Sequence, residues 1–183
     1  MFERLLERVA EALENLGIPY MIIGGQAVLL YGEPRLTKDI DIAIGADLNR
    51  LPDILSLAQS IQLTPLVDPD TFTRQTMVLP CADPGTGIRV DLIFSFSPYE
   101  QQAMSRARRV RIGHAQVRFA SVEDLIIHKV IAGRARDLED VRSVLLKNPR
   151  ADLKYVRHWL GEFSTALSQP FMARLEQILK EVG

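Results

Sequence analysis

Aspartate alternates with isoleucine through KDIDIAIG, Lys38 to Gly45. Few features of the chain constrain its fold more. Period-two alternation describes a β-strand, with Ile40, Ile42 and Ile44 on one face and Asp39 and Asp41 on the other. Aspartate is disfavoured in strands, and residues i and i+2 point the same way, about 6.6 Å apart at Cα. Two ionised carboxylates on one face repel. A divalent cation between them reverses the sign of that interaction, and hard oxygen donors favour Mg²⁺ or Mn²⁺. The alternative is a solvated strand end whose acids pair with Arg35 and Lys38.

A second acidic strand repeats the pattern. In RVDLIF, Asp91 faces away from Val90, Leu92 and Phe94. If this strand lies beside the first, Asp39, Asp41 and Asp91 make a three-carboxylate cluster able to support phosphoryl transfer through bound metal. Otherwise Asp91 is an edge acid paired with Arg89. Fourteen residues before Asp39, YMIIGG ends in Gly24-Gly25, where a buried strand gives way to a short helix, QAVLLYG. Glycine lets backbone N–H groups approach an anion, and a helix N-terminus adds a favourable field.

The remaining pattern predicts a mixed sheet flanked by helices, an α/β (α+β) architecture. An N-terminal amphipathic helix carries Phe2, Leu5, Leu6, Val9, Leu13 and Leu16 on one face and stops at Gly17. A helix is expected over about residues 50–60. FTRQTMVLP and GIRVDLIFS read as a strand pair joined by the turn-rich CADPGT. A short helix near 98–105 precedes a hairpin, RRVRI and AQVRF, split by Gly113-His114. From Ser121 the periodicity is helical: about 121–133, 137–147, 152–166 and 170–182. The expected division is a core of residues 1–120 and a helical portion of residues 121–183.

Residues 1–100 carry seven Lys/Arg against 14 Asp/Glu, and residues 101–183 carry 15 against nine. An acidic half joined to a basic half suits a metal site facing a polyanion. Arg106, Arg108, Arg109, Arg111 and Arg118 are dense enough to neutralise phosphates, or they form the exposed face of the hairpin. No stretch approaches the roughly 20 apolar residues of a membrane span. Charges interrupt every apolar cluster of the N-terminus, so no export signal is expected. Cys81 is the only cysteine, so no intrachain disulfide is possible and a cytoplasmic location is expected.

GGQAVLLYGEPRLTKDIDIAI, with its G-G pair followed by D-x-D and the later acid Asp91, resembles the first motif of the nucleotidyltransferase superfamily with the DNA polymerase beta-like fold. The extended set Gly24, Gly25, Ala27, Gly32, Arg35, Thr37, Asp39, Ile40 and Asp41 is similar to the AbiEii-type toxin nucleotidyltransferases. A second block, SVEDLIIHKVIAGRARDLEDV, resembles that group's helical motifs through Lys129, Arg136, Asp137 and Asp140. The resemblance covers roughly residues 18–145. It departs at Gly25, where many members carry serine.

The resemblance implies a metal-dependent enzyme that moves a nucleoside monophosphate from an NTP to a hydroxyl acceptor: an RNA 3′ end, a protein or a small molecule. Asp39, Asp41 and Asp91 would bind Mg²⁺ (or Mn²⁺) and serve catalysis, with Asp91 also a base. Gly24 and Gly25 would cradle the triphosphate, and Arg35, Thr37, Lys129 and Asp137 would contribute to nucleotide binding. Toxin-like activity and an antitoxin partner follow from the subgroup. Read from the residues alone, Lys129 instead snorkels to water from an apolar helix face, Asp137 is a helix N-cap, and Arg35 and Thr37 hold a loop. Two other classes stay open: a non-catalytic nucleotide- or partner-binding member of the fold, and an RNA-binding module built on the basic half.

Overall fold

The computed structural model describes residues 1–183. Its elements follow in the order α1 (Phe2–Asn15), β1 (Tyr20–Ile23), α2 (Gly24–Tyr31), β2 (Asp39–Ile44), α3 (Leu51–Ser60), β3 (Thr64–Pro65), α4 (Pro69–Thr76), β4 (Val78–Ala82), β5 (Arg89–Phe94), α5 (Pro98–Ser105), β6 (Arg108–Ile112) and β7 (Ala115–Phe119). Four helices complete the chain: α6 (Val122–Ala132), α7 (Ala135–Lys147), α8 (Leu153–Leu167) and α9 (Phe171–Val182). The chain forms two compact units. One holds residues 1–26 and 37–120; the other holds residues 27–36 and 121–183. The division falls inside α2, so the end of that helix and the segment to Leu36 belong with the C-terminal helices.

The first unit is built on a seven-stranded mixed sheet of order β3-β4-β5-β2-β1-β7-β6. The β2–β5 and β1–β7 pairs are parallel, and the rest are antiparallel. The alternation expected for β2 and β5 is realised: Ile40, Ile42, Ile44, Val90, Leu92 and Phe94 are all buried. The amphipathic α1 buries Leu5, Leu6, Val9 and Leu13 within the same unit. Leu16, expected on that apolar face, is instead exposed at the C-cap of the helix, one residue before the left-handed turn at Gly17. The β6–β7 hairpin turns at Gly113-His114, with Gly113 at φ +57°. A left-handed glycine suits such a tight connection. Arg108, Arg109 and Arg111 are exposed on β6, which is an edge strand.

One expected strand is largely a helix. The stretch FTRQTMVLP was expected to be extended, but residues through Thr76 continue α4. The cause lies upstream. Asp68 caps the helix by accepting from the Thr71 N–H at 2.9 Å, Pro69 opens its first turn, and Arg74 reaches back to Asp70 at 2.9 Å. Met77, at φ +63°, ends it in a left-handed turn. The strand therefore starts at Val78 and runs through Cys81 and Ala82, residues expected in the turn.

In the second unit, Ser121 begins α6 as expected. Its hydroxyl oxygen accepts from the Asp124 N–H at 3.1 Å and donates to Asp124 Oδ2 at 2.6 Å. No helix of the protein is long and apolar enough to cross a membrane.

Leu92 is fully buried at the centre of β5. Leu92→Ala is expected to destabilise the fold by about 2–5 kcal/mol, the range for a buried leucine truncation. Urea denaturation measures this directly, and a loss below 1 kcal/mol would place Leu92 outside the tightly packed core.

Candidate functional site

The acidic strands are neighbours. β2 and β5 pair in parallel with Asp39 opposite Arg89, Asp41 opposite Asp91 and Ile42 opposite Leu92. Direct partners in a ladder share a face, and alternate residues share it too. Asp39, Asp41, Arg89 and Asp91 therefore form a two-by-two array on the side away from the isoleucines. Asp39 is exposed, and Asp41 and Asp91 are half-buried.

Arg89 stands among these acids. Its Nε donates to Asp91 Oδ1 at 2.8 Å. Its guanidinium is held above its ordinary value, chiefly by that hydrogen bond, with the charges of Asp91, Asp39 and Asp41 adding to it against partial desolvation. No three Asp, Glu, His or Cys side chains are gathered as a metal-binding group. Asp91 is engaged by arginine instead. Its negative charge is also felt behind the sheet, where burial first, and Asp91 second, push the Cys81 thiol up to about 12.

Gly24 opens α2 beside this array. It has φ +62°, and a β-carbon there would lie 2.0 Å from Asp41 Oδ2. Position 24 thus favours glycine on two grounds: the left-handed backbone and the Asp41 carboxylate, which a β-carbon would force to shift. Thr37, at the entry to β2, donates to the Asp39 carbonyl at 3.0 Å and accepts from Gln26 Nε2 at 3.4 Å. It thereby ties the strand start to the first turn of α2.

The remaining expected site residues meet in the second unit. Lys129 Nζ lies 2.7 Å from Asp137 Oδ1 and 2.9 Å from Asp140 Oδ2, and all three side chains are buried. Arg35 forks onto Asp140, with Nε at 2.9 Å and Nη2 at 3.0 Å. Arg134 Nε closes the network on Asp137 Oδ2 at 2.6 Å. Lys129 therefore does not snorkel; it is drawn inward by two carboxylates. Asp137 is not the N-cap of α7. That place belongs to Arg134, and Asp137, three residues on, accepts from the Arg134 backbone N–H at 3.3 Å. Burial acts to raise the Asp137 carboxyl. The hydrogen bonds and charges of Arg134 and Lys129 outweigh it and hold the group below its ordinary value. Sequence reasoning gave Asp140 a minor place and did not foresee that Arg35 would fork onto it. The i,i+3 spacing of Asp137 and Asp140 on one helix, with a lysine one helix earlier, was the available signal.

The fold recurs in known structures. Over 91% of this chain and 94% of theirs, the antibiotic-resistance factor ANT(2″)-Ia superposes with a TM-score of 0.64 at 15% identity. An antigenic nucleotidyltransferase-like protein from Paracoccidioides brasiliensis superposes with a TM-score of 0.56 at 20% identity, covering 91% of each chain. The chain has the nucleotidyltransferase fold. Residues 88–177 also match the family model of a nucleotidyltransferase of unknown function (DUF6036). That match includes Asp91 and the Lys129–Asp137–Asp140 network. No curated protein is significantly similar in sequence.

Two outcomes are expected from this geometry. Gly24→Ala should cost about 1–3 kcal/mol, the usual size of one strained backbone position, and displace the Asp41 side chain; a thermal melt equal to that of the parent would contradict the packing described. Lys129→Met should destabilise by about 3 kcal/mol, the low end for breaking a buried ion pair, because Arg35 and Arg134 still partner the two aspartates. Urea titration reads this loss, and a neutral result would mean that the network is solvated.

Proposed function

We propose that the protein transfers a nucleoside monophosphate from a nucleoside triphosphate to a hydroxyl acceptor, using a divalent cation, Mg²⁺ or Mn²⁺, held by Asp39, Asp41 and Asp91. The observation that carries this reading is the β2–β5 register, which sets Asp41 beside Asp91 next to the glycine start of α2. The donor set suits the ion: carboxylate oxygens on one face match a hard cation, and Asp41 packs against the Gly24 turn. A bound cation would neutralise phosphate charge and lower the pKa of the acceptor hydroxyl.

The chain's own groups divide the remaining work. The backbone N–H groups of Gly24 and Gly25, at the positive end of α2, hold triphosphate oxygens. Asp91 takes the proton of the acceptor hydroxyl. The acceptor oxygen then bonds to the α-phosphorus, the bond from that phosphorus to the α–β bridging oxygen breaks, and pyrophosphate leaves. Thr37 fixes the start of β2, so that Asp39 and Asp41 keep their register. Arg35, Lys129 and Asp137 neutralise one another and Asp140, and in this reading they brace the segment that leads toward β2.

A small hydroxylated molecule is the favoured acceptor. ANT(2″)-Ia, in complex with adenylyl-2″-tobramycin, superposes over 90% of this chain and 98% of its own, with a TM-score of 0.62 at 14% identity. The lincosamide antibiotic adenylyltransferase LnuA, bound to lincomycin, shares the fold with a TM-score of 0.51. A second reading, an AbiEii-type enzyme with an RNA or protein acceptor and an antitoxin partner, is favoured by one observation. Arg35, from the first motif block, forks onto Asp140, from the second, so the two blocks that carry that resemblance are physically joined.

The test supplies each of the four labelled NTPs with Mg²⁺ and one of three acceptor sets: aminoglycosides and lincosamides, RNA, or cell-extract protein. Label is expected on a small molecule, lost with chelator, and reduced roughly 10²–10⁴-fold in Asp91→Asn, the usual contribution of a general base. Label on RNA or polypeptide selects the second reading. Absence of transfer to every acceptor overturns both.

A further inference from the structure

Three acids share the β2–β5 face with a single cation, Arg89. It enters the array from within, since it is the direct ladder partner of Asp39 and lies two residues before Asp91 on the same face. Its Nε–Asp91 Oδ1 contact of 2.8 Å uses the oxygen donor that a metal would also need. The Arg89 side chain is about half exposed, whereas that of Asp91 is 15% exposed. The arginine can therefore swing to solvent, and the carboxylate cannot. Like-charge repulsion among the acids is relieved by whichever cation is present. Arginine is always charged, so the face is never without a counter-ion.

We propose that Arg89 is the resident counter-ion of the acid face and competes with the divalent cation for Asp91, thereby setting metal affinity. The proposal rests on the reading of Asp39, Asp41 and Asp91 given above and adds a residue to it. It accounts for the guanidinium that engages Asp91 on the face carrying all three carboxylates. Metal entry requires the Arg89–Asp91 hydrogen bond to break, and part of the binding free energy is used for that exchange. The device keeps an acidic strand pair compatible with the folded state at low metal concentration, and it makes occupancy depend on cation supply.

The experiment is Mn²⁺ titration by calorimetry, without nucleotide, on the parent protein and on Arg89→Met, Arg89→Lys and Asp41→Asn. Thermal melts with and without Mn²⁺ are recorded on the same samples. Arg89→Met is expected to bind Mn²⁺ roughly ten-fold more tightly, the low end for losing a charge-assisted hydrogen bond at a half-exposed site. It should melt lower than the parent without metal and gain more on adding Mn²⁺. Arg89→Lys keeps the charge and should lie near the parent, while Asp41→Asn should lose binding. If the parent binds Mn²⁺ and Arg89→Met binds it equally or more weakly, competition is overturned while the metal reading stands. If neither the parent nor Arg89→Met binds, the metal reading falls and competition falls with it.

Discussion

The parallel pairing of β2 with β5 is the interaction on which the rest of the first unit depends. Six consecutive residues on each strand are in register, from Asp39 opposite Arg89 to Ile44 opposite Phe94. That single alignment sorts every side chain of both strands. The isoleucines, Val90, Leu92 and Phe94 go to the core, and Asp39, Asp41, Asp91 and Arg89 go to the other face. A slip of one residue would bury the acids and expose the apolar set, so the apolar packing holds the polar array in place. Core and candidate site are two sides of one registration.

The two units handle charge in opposite ways. In the second, Arg35, Lys129 and Arg134 meet Asp137 and Asp140 in a closed network whose members are mostly buried. Such a network tolerates low dielectric because each carboxylate is paired twice. In the first unit the acids outnumber their cation three to one and sit in partial contact with solvent. A closed network suits a framework; an acid excess beside a glycine-led helix suits a ligand.

Much of this was legible in the sequence where period and chemistry agreed. The alternation in KDIDIAI and RVDLIF gave both acidic strands and their faces, and the glycine pair gave the strand-to-helix switch. Ser121 marked the start of α6. Reading failed where a local signal was overruled or went unseen. FTRQTMVLP has the composition of a strand, but the Asp68-Pro69 start, three residues before it, commits the chain to a helix up to Met77. The role of Lys129 was ambiguous because a helix face tells where a lysine begins, not which carboxylate from another element meets its end. The Arg89–Asp91 pair was legible within one strand, but the place of Arg89 opposite Asp39 needed the register, which no single strand carries.

The strands that carry the acids are far apart in the chain. Between Ile44 and Arg89 lie α3, β3, α4 and β4, all of which must be collected before the pair can zip. A parallel pairing across such a span closes a longer loop, at a larger entropic cost, than the contact of α6 with α7, which two residues join. The acid face therefore depends on elements collected from across the first unit. A chain in which those intervening elements were not assembled would leave Asp39 and Asp41 without their partners on β5.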